Sequence, residues 1–341
     1  MVRLLLIGVI TTLATGPLSG QQPNRKPEPY VALLLPAGEV WSTTLAAPPA
    51  AEGALDDHQV YVPLQEFSTL VDGESVPLGG SASIVALDRA SGAARWNHYI
   101  ESVWPPVVGG DTLFVVVARE LVALNTATGL RQWRMDLPAD LRAPMILRGN
   151  LLLALTAPDV LIAIRTDTRE VAWRLPLGEP GAVLMNADQR AVFVTTARGR
   201  VMRVNIADGS RPWNHVLDEK GQLSAPAIGP DRLFVGSTTR AFWALDAKDG
   251  KTEWSWPAGR FFGGSIAGAA VDGDTVYVAS LDNLLRGLDY GSGNLRWKQP
   301  TGTRPTGPPR AFFGTVVVTG LSPMLATFGA KKGEAVSMWS K

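Results

Sequence analysis

Six tryptophans, Trp96, Trp133, Trp173, Trp213, Trp254 and Trp297, recur along the chain at intervals of 37 to 43 residues. Each closes a version of one phrase. It reads Ala-Leu-Asp-Arg-Ala-Ser-Gly-Ala-Ala-Arg-Trp at 86–96, Ala-Leu-Asn-Thr-Ala-Thr-Gly-Leu-Arg-Gln-Trp at 123–133 and Ala-Leu-Asp-Ala-Lys-Asp-Gly-Lys-Thr-Glu-Trp at 244–254. The copies at 203–213 and 287–297 differ by one or two substitutions, and the copy at 163–173 has Arg169 in the glycine position. Self-similarity at this period restricts a chain to solenoids, propellers and other arrays of small units that bury their faces against one another.

The phrase has a local physical meaning. An apolar strand ends at Ala-Leu, and the Asp or Asn that follows can accept backbone hydrogen bonds two residues on and start a turn. The glycine four residues later supplies positive φ, and a second strand then carries the tryptophan. Ahead of each phrase lies a short β-branched run, such as Leu113-Phe-Val-Val-Val, Val192-Phe-Val-Thr-Thr or Val276-Tyr-Val-Ala-Ser. Each run follows a tight turn, as in Gly109-Gly-Asp, Gly229-Pro-Asp and Asp272-Gly-Asp. Small, Pro- or Ala-rich segments such as Ala225-Pro-Ala-Ile precede the turns and suit a crowded innermost strand. Four short antiparallel strands in about 40 residues make one propeller blade.

The predicted fold is therefore all-β, a seven-bladed propeller of four-stranded antiparallel blades, with eight blades as the alternative. The stretch from Trp41 to Trp96 makes a first blade with an insertion at 66–81, and the stretch after Trp297 makes the last. Trp41 is read with the six others as a repeat tryptophan that packs between blades. Stacking on a cofactor is disfavoured, because equivalent residues spread around a ring cannot all face one ligand. The last copy is irregular, since Trp339 stands six residues after Gly333 rather than four. The expected closure makes the Glu39-Val-Trp-Ser-Thr-Thr-Leu segment the outer strand of the last blade. In the alternative, residues 336–340 form that strand and Trp41 flanks it.

Residues 1–20 have the pattern of an export signal, with Arg3 before an apolar stretch and small residues ending at Gly20. Residues 21–36 read as a linker and 37–341 as the propeller. The apolar run is about half of the ~20 residues a membrane span needs, and no later segment is longer. Thirty-two basic and 31 acidic residues are spread evenly, which provides no basic patch for nucleic acid. The absence of cysteine excludes disulfides, thiolate metal sites and a cysteine nucleophile. The expected location is periplasmic or secreted, without a lipid-accepting cysteine.

The Ala-Leu-Asp-x-x-x-Gly-x-x-x-Trp phrases resemble the PQQ-like (quinoprotein) β-propeller repeat superfamily over residues 37–339. Within it the chain is most similar to the BamB-like factors of outer-membrane β-barrel assembly, whose N-terminal Trp-Ser strand matches Trp41-Ser42. The resemblance implies an exported, non-catalytic scaffold whose partner is a protein, with a β-barrel assembly component as the expected one. Two departures are visible: the family is usually eight-bladed, and its members are usually lipoproteins.

The same superfamily contains PQQ-dependent alcohol and sugar dehydrogenases, which hold the quinone with calcium. Their usual disulfide between adjacent cysteines cannot exist here. Asp111, Asp231, Asp272 and Asp274 occupy repeated hairpin turns, and no separate acidic cluster suggests a calcium site. His58, His98 and His215 lack metal-type spacing, and the latter two each follow a repeat tryptophan by two residues. No catalytic, cofactor or metal residue is therefore expected. The least repeat-like feature is the 66–81 insertion, whose Phe67, Leu70 and Val71 make it a candidate docking loop.

Overall fold

A computed structural model describes residues 2–6 and 41–340, apart from 72–73, 80, 179–182, 219, 313 and 322–323. Every regular element among the described residues is a β-strand, and 28 of the strands form seven four-stranded antiparallel sheets. In chain order these blades occupy residues 54–98, 107–136, 146–176, 183–216, 227–256, 266–300 and 310–340, and we number them 1 to 7. Each sheet runs innermost to outermost in sequence order, so every link within a blade is local. The first-blade insertion is a hairpin of its own, Phe67–Val71 paired with Glu74–Gly79, between the second and third strands.

The two middle strands of blades 1 to 6 are buried on both faces, which explains their apolar runs. Leu151–Thr156 and Val160–Arg165 of blade 3 are typical, with only their end residues partly open or exposed. Alternate side chains of such a strand go to opposite neighbours. Phe114 and Val116 of blade 2 pack on Leu152, Ala154 and Ile162 of blade 3. Leu153 and Leu155 then face Val192 and Val194 of blade 4. The core is thus a series of inter-blade layers rather than a single centre, and the innermost strands of successive blades lie side by side from blade 1 to blade 7.

The repeated phrase builds the contact between layers. Asp88 Oδ1 accepts the Ala90 and Ser91 N–H groups at 3.1 and 2.9 Å, and Gly92 N–H donates to the Asp88 carbonyl at 2.8 Å. Asn125 and Asp246 repeat this turn. The glycine that closes it has φ between +69° and +76° in six copies. It also presents a bare Cα to the face of the preceding blade's tryptophan: a Cβ built on Gly129 would lie 2.6 Å from Trp96 Cε3. The indole N–H then donates to the carbonyl just after the Asp or Asn, as Trp96 does to Thr126 at 2.7 Å and Trp173 to Ile206 at 2.7 Å. In the one copy without glycine, Arg169 adopts φ +64° and its guanidinium lies 5.5 Å from the Trp133 ring centre.

The seven-blade count holds, but the expected closure does not. The outer strand of blade 7 is Ala335–Ser340, paired with Met324–Gly329, as in the alternative. The strand Trp41–Leu45 pairs instead with Val2–Leu6, in a separate two-stranded sheet. Its tryptophan nevertheless does what Trp96, Trp173, Trp213, Trp254 and Trp297 do. Trp41 lies on Gly92 of blade 1 and donates to the Arg89 carbonyl at 2.8 Å. The physical reason is register. Thr327 in blade 7 faces Ser337, where Ala86, Ala123 and Ala244 face Trp96, Trp133 and Trp254. Trp339 stands opposite Leu325, the position that His215 holds in blade 4 and Trp256 in blade 5. Apart from Val2–Leu6, the export segment and linker lie outside the described residues.

The glycine turns separate two costs. Gly129→Ala is expected to lower unfolding free energy by about 2–4 kcal/mol, combining left-handed backbone strain with displacement of the Trp96 ring. Gly110→Ala, at φ +60° with no atom within 4 Å of the added Cβ, is expected to cost only the backbone part, about 1 kcal/mol. Urea denaturation of the two variants measures the difference.

Candidate interaction surfaces

The innermost segments of the blades enclose a cavity of about 660 Å³ at the centre of the ring. Pro105, Ala143, Pro144, Ala225, Gly307 and Pro308 supply much of its wall. Such residues let neighbouring innermost strands converge without long side chains filling the axis. The charged groups on the wall are Glu52 and Arg310, which pair with each other at 3.6 Å across blades 1 and 7. Both side chains are largely exposed, so the pair contributes little to holding these blades together.

A quinone held with calcium needs six to eight oxygen ligands on the cation, with carboxylates prominent among them. This wall offers one carboxylate, already facing an arginine, and does not fit that group. No cluster of three or more His, Asp or Glu side chains among the described residues is arranged to hold a metal ion. The turn aspartates are instead used within the architecture. Asp274 accepts from Arg296 at 2.7 and 2.9 Å, Asp231 accepts from the Tyr290 hydroxyl, and Asp111 accepts from Thr112 at 3.0 Å. Asp272 and Asp274 do border a second cavity of about 660 Å³ between blades 6 and 7. Arg296, Lys331 and Lys332 also line it, so its charge is mixed. His215 stacks on Trp213 with ring centres 5.4 Å apart, and its Nε2–H donates to the Asp249 carbonyl at 3.1 Å. His98 stands opposite Ile84, on the outer strand of blade 1.

One partly buried acid was not singled out by sequence reasoning. Asp282, in the turn between the second and third strands of blade 6, accepts from Arg286 Nη2 at 2.6 Å, Ser280 Oγ at 2.6 Å and Gly263 N–H at 3.0 Å. The Arg286 guanidinium, 4% exposed, also lies 4.9 Å from the Phe262 ring centre. Burial pulls the Asp282 carboxyl upward, but the hydrogen bonds from Arg286 and Ser280 outweigh it and hold it down at about 2. The Gly263 hydrogen bond to Asp282 and the Arg286 contact with Phe262 join the 261–265 loop to blade 6. The sequence signal was only an Asp four residues before an Arg, which does not reveal that the arginine is buried and the acid half-buried.

The candidate docking residues Phe67, Leu70 and Val71 fall on the first strand of the inserted hairpin, and their side chains lie outside the described residues. Their partners across the ladder are Gly79, Ser75 and Glu74. Five paired residues make a hairpin about 17 Å long, where other blades have a short turn. No helix among the described residues is long and apolar enough to cross a membrane.

The family model described as outer membrane protein assembly factor BamB matches residues 80–225 and 180–338. An uncharacterized protein of Rickettsia conorii is 22% identical over 197 residues, 51% of this chain and 47% of its own length. The chain therefore spans about half of that curated relative. The crystal structure of BamB from Moraxella catarrhalis superposes with a TM-score of 0.63 at 16% identity, covering 89% of this chain and 86% of that one. The computationally designed Ika8 protein superposes with a TM-score of 0.66 at 11% identity, covering 86% and 87%.

Because Asp282 is held below the ordinary value of 3.8 in the folded state, its contribution to stability is fully present above about pH 4 and is lost as pH falls toward 2. Asp282→Asn is expected to remove that part of the acid dependence. At neutral pH it is expected to cost about 3 kcal/mol by leaving Arg286 buried without its partner. Denaturant titrations between pH 2 and 7 read both effects. The phrase, its glycine turn and the family match extend over most of the ring, and the chain belongs to the BamB family of PQQ-like β-propellers.

Proposed function

We propose that the chain is an exported, non-enzymatic propeller that holds protein partners during outer-membrane β-barrel assembly, without a cofactor. The observation that carries this reading is the use of the repeat's polar chemistry. Most of its turn aspartates, His215 and the N–H groups of Trp41, Trp96, Trp173, Trp213, Trp254 and Trp297 are spent on turns and blade contacts, while the 67–79 hairpin forms a sheet of its own outside the repeat. Similarity to BamB from Moraxella catarrhalis supports the assembly role, and the apolar start of the chain supports export to the periplasm. A rigid disc with loops on its faces suits docking, since connecting segments can vary without disturbing the sheets.

Affinity purification of the tagged chain from a native membrane fraction, followed by mass spectrometry, is expected to recover a β-barrel assembly protein. Replacing residues 66–81 with a short Gly-Ser turn is expected to abolish that recovery and leave the melting temperature within about 2 °C. Dye-linked alcohol oxidation after addition of PQQ and Ca²⁺, or a shifted quinone spectrum, would overturn the non-enzymatic reading. Undiminished recovery by the hairpin replacement would remove the hairpin as the docking element.

A further inference from the structure

The junction between blades 7 and 1 differs from the other six. Elsewhere each blade is covered on both faces by a full four-stranded sheet. Blade 1 is covered on this side by Trp41, Leu45 and Ala47, which pack on Val60, Val62 and Leu87. Only Trp41–Leu45 and its partner Val2–Leu6 stand in the position of an eighth sheet among the described residues. Since Trp41 fills the blade 1 turn as an outermost-strand tryptophan does, Trp41–Leu45 is the outer strand of that sheet. Val2–Leu6 is in the place of the third strand.

Blade 7 shows the same opening from the other side. Of the three side chains of its second strand that face away from blade 6, Thr315 is buried, Val317 is half-buried and Thr319 is exposed. At the last two of these positions the other six blades are buried, as with Phe114 and Val116 on blade 2 or Tyr277 and Ala279 on blade 6. Val317 and Thr319 also line the central cavity together with Glu52 of blade 1, so the cavity extends into this junction. Ser337 replaces the tryptophan that would have locked blade 7 to a following sheet.

Val2–Leu6 indicates what such a position accepts. Its sequence is Val-Arg-Leu-Leu-Leu, and all five residues are in antiparallel register with Leu45 through Trp41. That composition is close to the third strands elsewhere, for example Glu-Leu-Val-Ala-Leu-Asn in blade 2. An edge strand offers a row of backbone donors and acceptors to any extended chain that reaches it. We propose that the eighth sheet position is a strand-acceptor site, where an extended apolar segment of a partner polypeptide pairs antiparallel with Trp41–Leu45 in the place of Val2–Leu6. The tethered Val2–Leu6 strand competes for this edge at high effective concentration. Removing it, as cleavage of an export signal would, opens the site.

This inference deepens the scaffold reading, but its test needs no barrel-assembly component, so the two can fail separately. In the full chain, Leu4→Pro together with Leu5→Pro strips the competing strand, because one of two successive residues points its N–H at the partner. Val2–Leu6 belongs to no blade, so the ring is untouched. The probe is a fluorescein-labelled peptide, Lys-Lys-Val-Arg-Leu-Leu-Leu-Lys, followed by anisotropy. The double-proline chain is expected to bind it at least about tenfold more tightly than the unaltered chain. The same peptide with its first two leucines changed to proline is expected not to bind. Register is read with Thr44→Cys, the single thiol in a chain without cysteine. A peptide with cysteine in place of its arginine, the partner of Thr44, activated as its disulfide with thionitrobenzoate, is expected to exchange with the Thr44→Cys thiolate, forming the mixed disulfide and releasing thionitrobenzoate. Equal affinity in both chains, or equal binding of the proline peptide, would overturn the proposal. Dimerisation of the double-proline chain in gel filtration would also overturn it, by making a second copy the occupant.

Discussion

The face of an indole resting on a glycine turn is the contact on which this ring depends. It joins the outermost strand of one blade to the turn between the third and fourth strands of the next. It needs a residue without Cβ at positive φ and an Asp or Asn to shape the turn. It also needs a carbonyl left free to accept the indole N–H. All three requirements are met within a few residues of sequence, so each blade carries half of each of its two contacts. Blade 3 shows how far the rule can bend. Arg169 accepts the left-handed backbone and covers Trp133 with its guanidinium, exchanging a steric fit for a cation–π contact. Stability in such a ring is a sum over neighbours, and it is limited by its weakest junction.

That weakest junction lies between blades 7 and 1. Six layers are apolar sheets packed on apolar sheets. The seventh has one strand on the blade 1 side, a partly open face on the blade 7 side and an exposed Glu52–Arg310 pair between them. The arrangement reconciles seven complete blades with a family that usually has eight. Seven turns are filled by seven tryptophans, and the first of these, Trp41, comes from a strand that belongs to no complete blade.

The local chemistry was legible in the sequence because it is local. Turn residues, the glycine positions of six blades and the buried middle strands of blades 1 to 6 fall where the phrases place them. The tryptophans pack where their spacing implies. The pairing of Trp41–Leu45 was not legible, since a strand pattern does not say which edge it will meet. The late tryptophan of the last copy invited the wrong closure. A shift of two residues leaves a side chain on the same face of a strand, so Trp339 retains the pattern while Ser337 takes the register. The insertion was visible as a break in the period, but its Pro77 and scattered polar residues concealed a hairpin. The Asp282–Arg286 pair was missed because no periodicity marks it.

On the scaffold reading, function lies on the surfaces of the ring, because the repeat's polar groups are used largely in making blades. Whether Trp41 truly locks blade 1 decides how the ring ends and where it opens. The most direct measurement compares Trp41→Ala with Trp297→Ala by urea denaturation. If both indoles fill equivalent turns, each substitution lowers unfolding free energy by about 3–5 kcal/mol. A loss below about 0.5 kcal/mol for Trp41→Ala, beside a large one for Trp297→Ala, would contradict the interlock at the first blade.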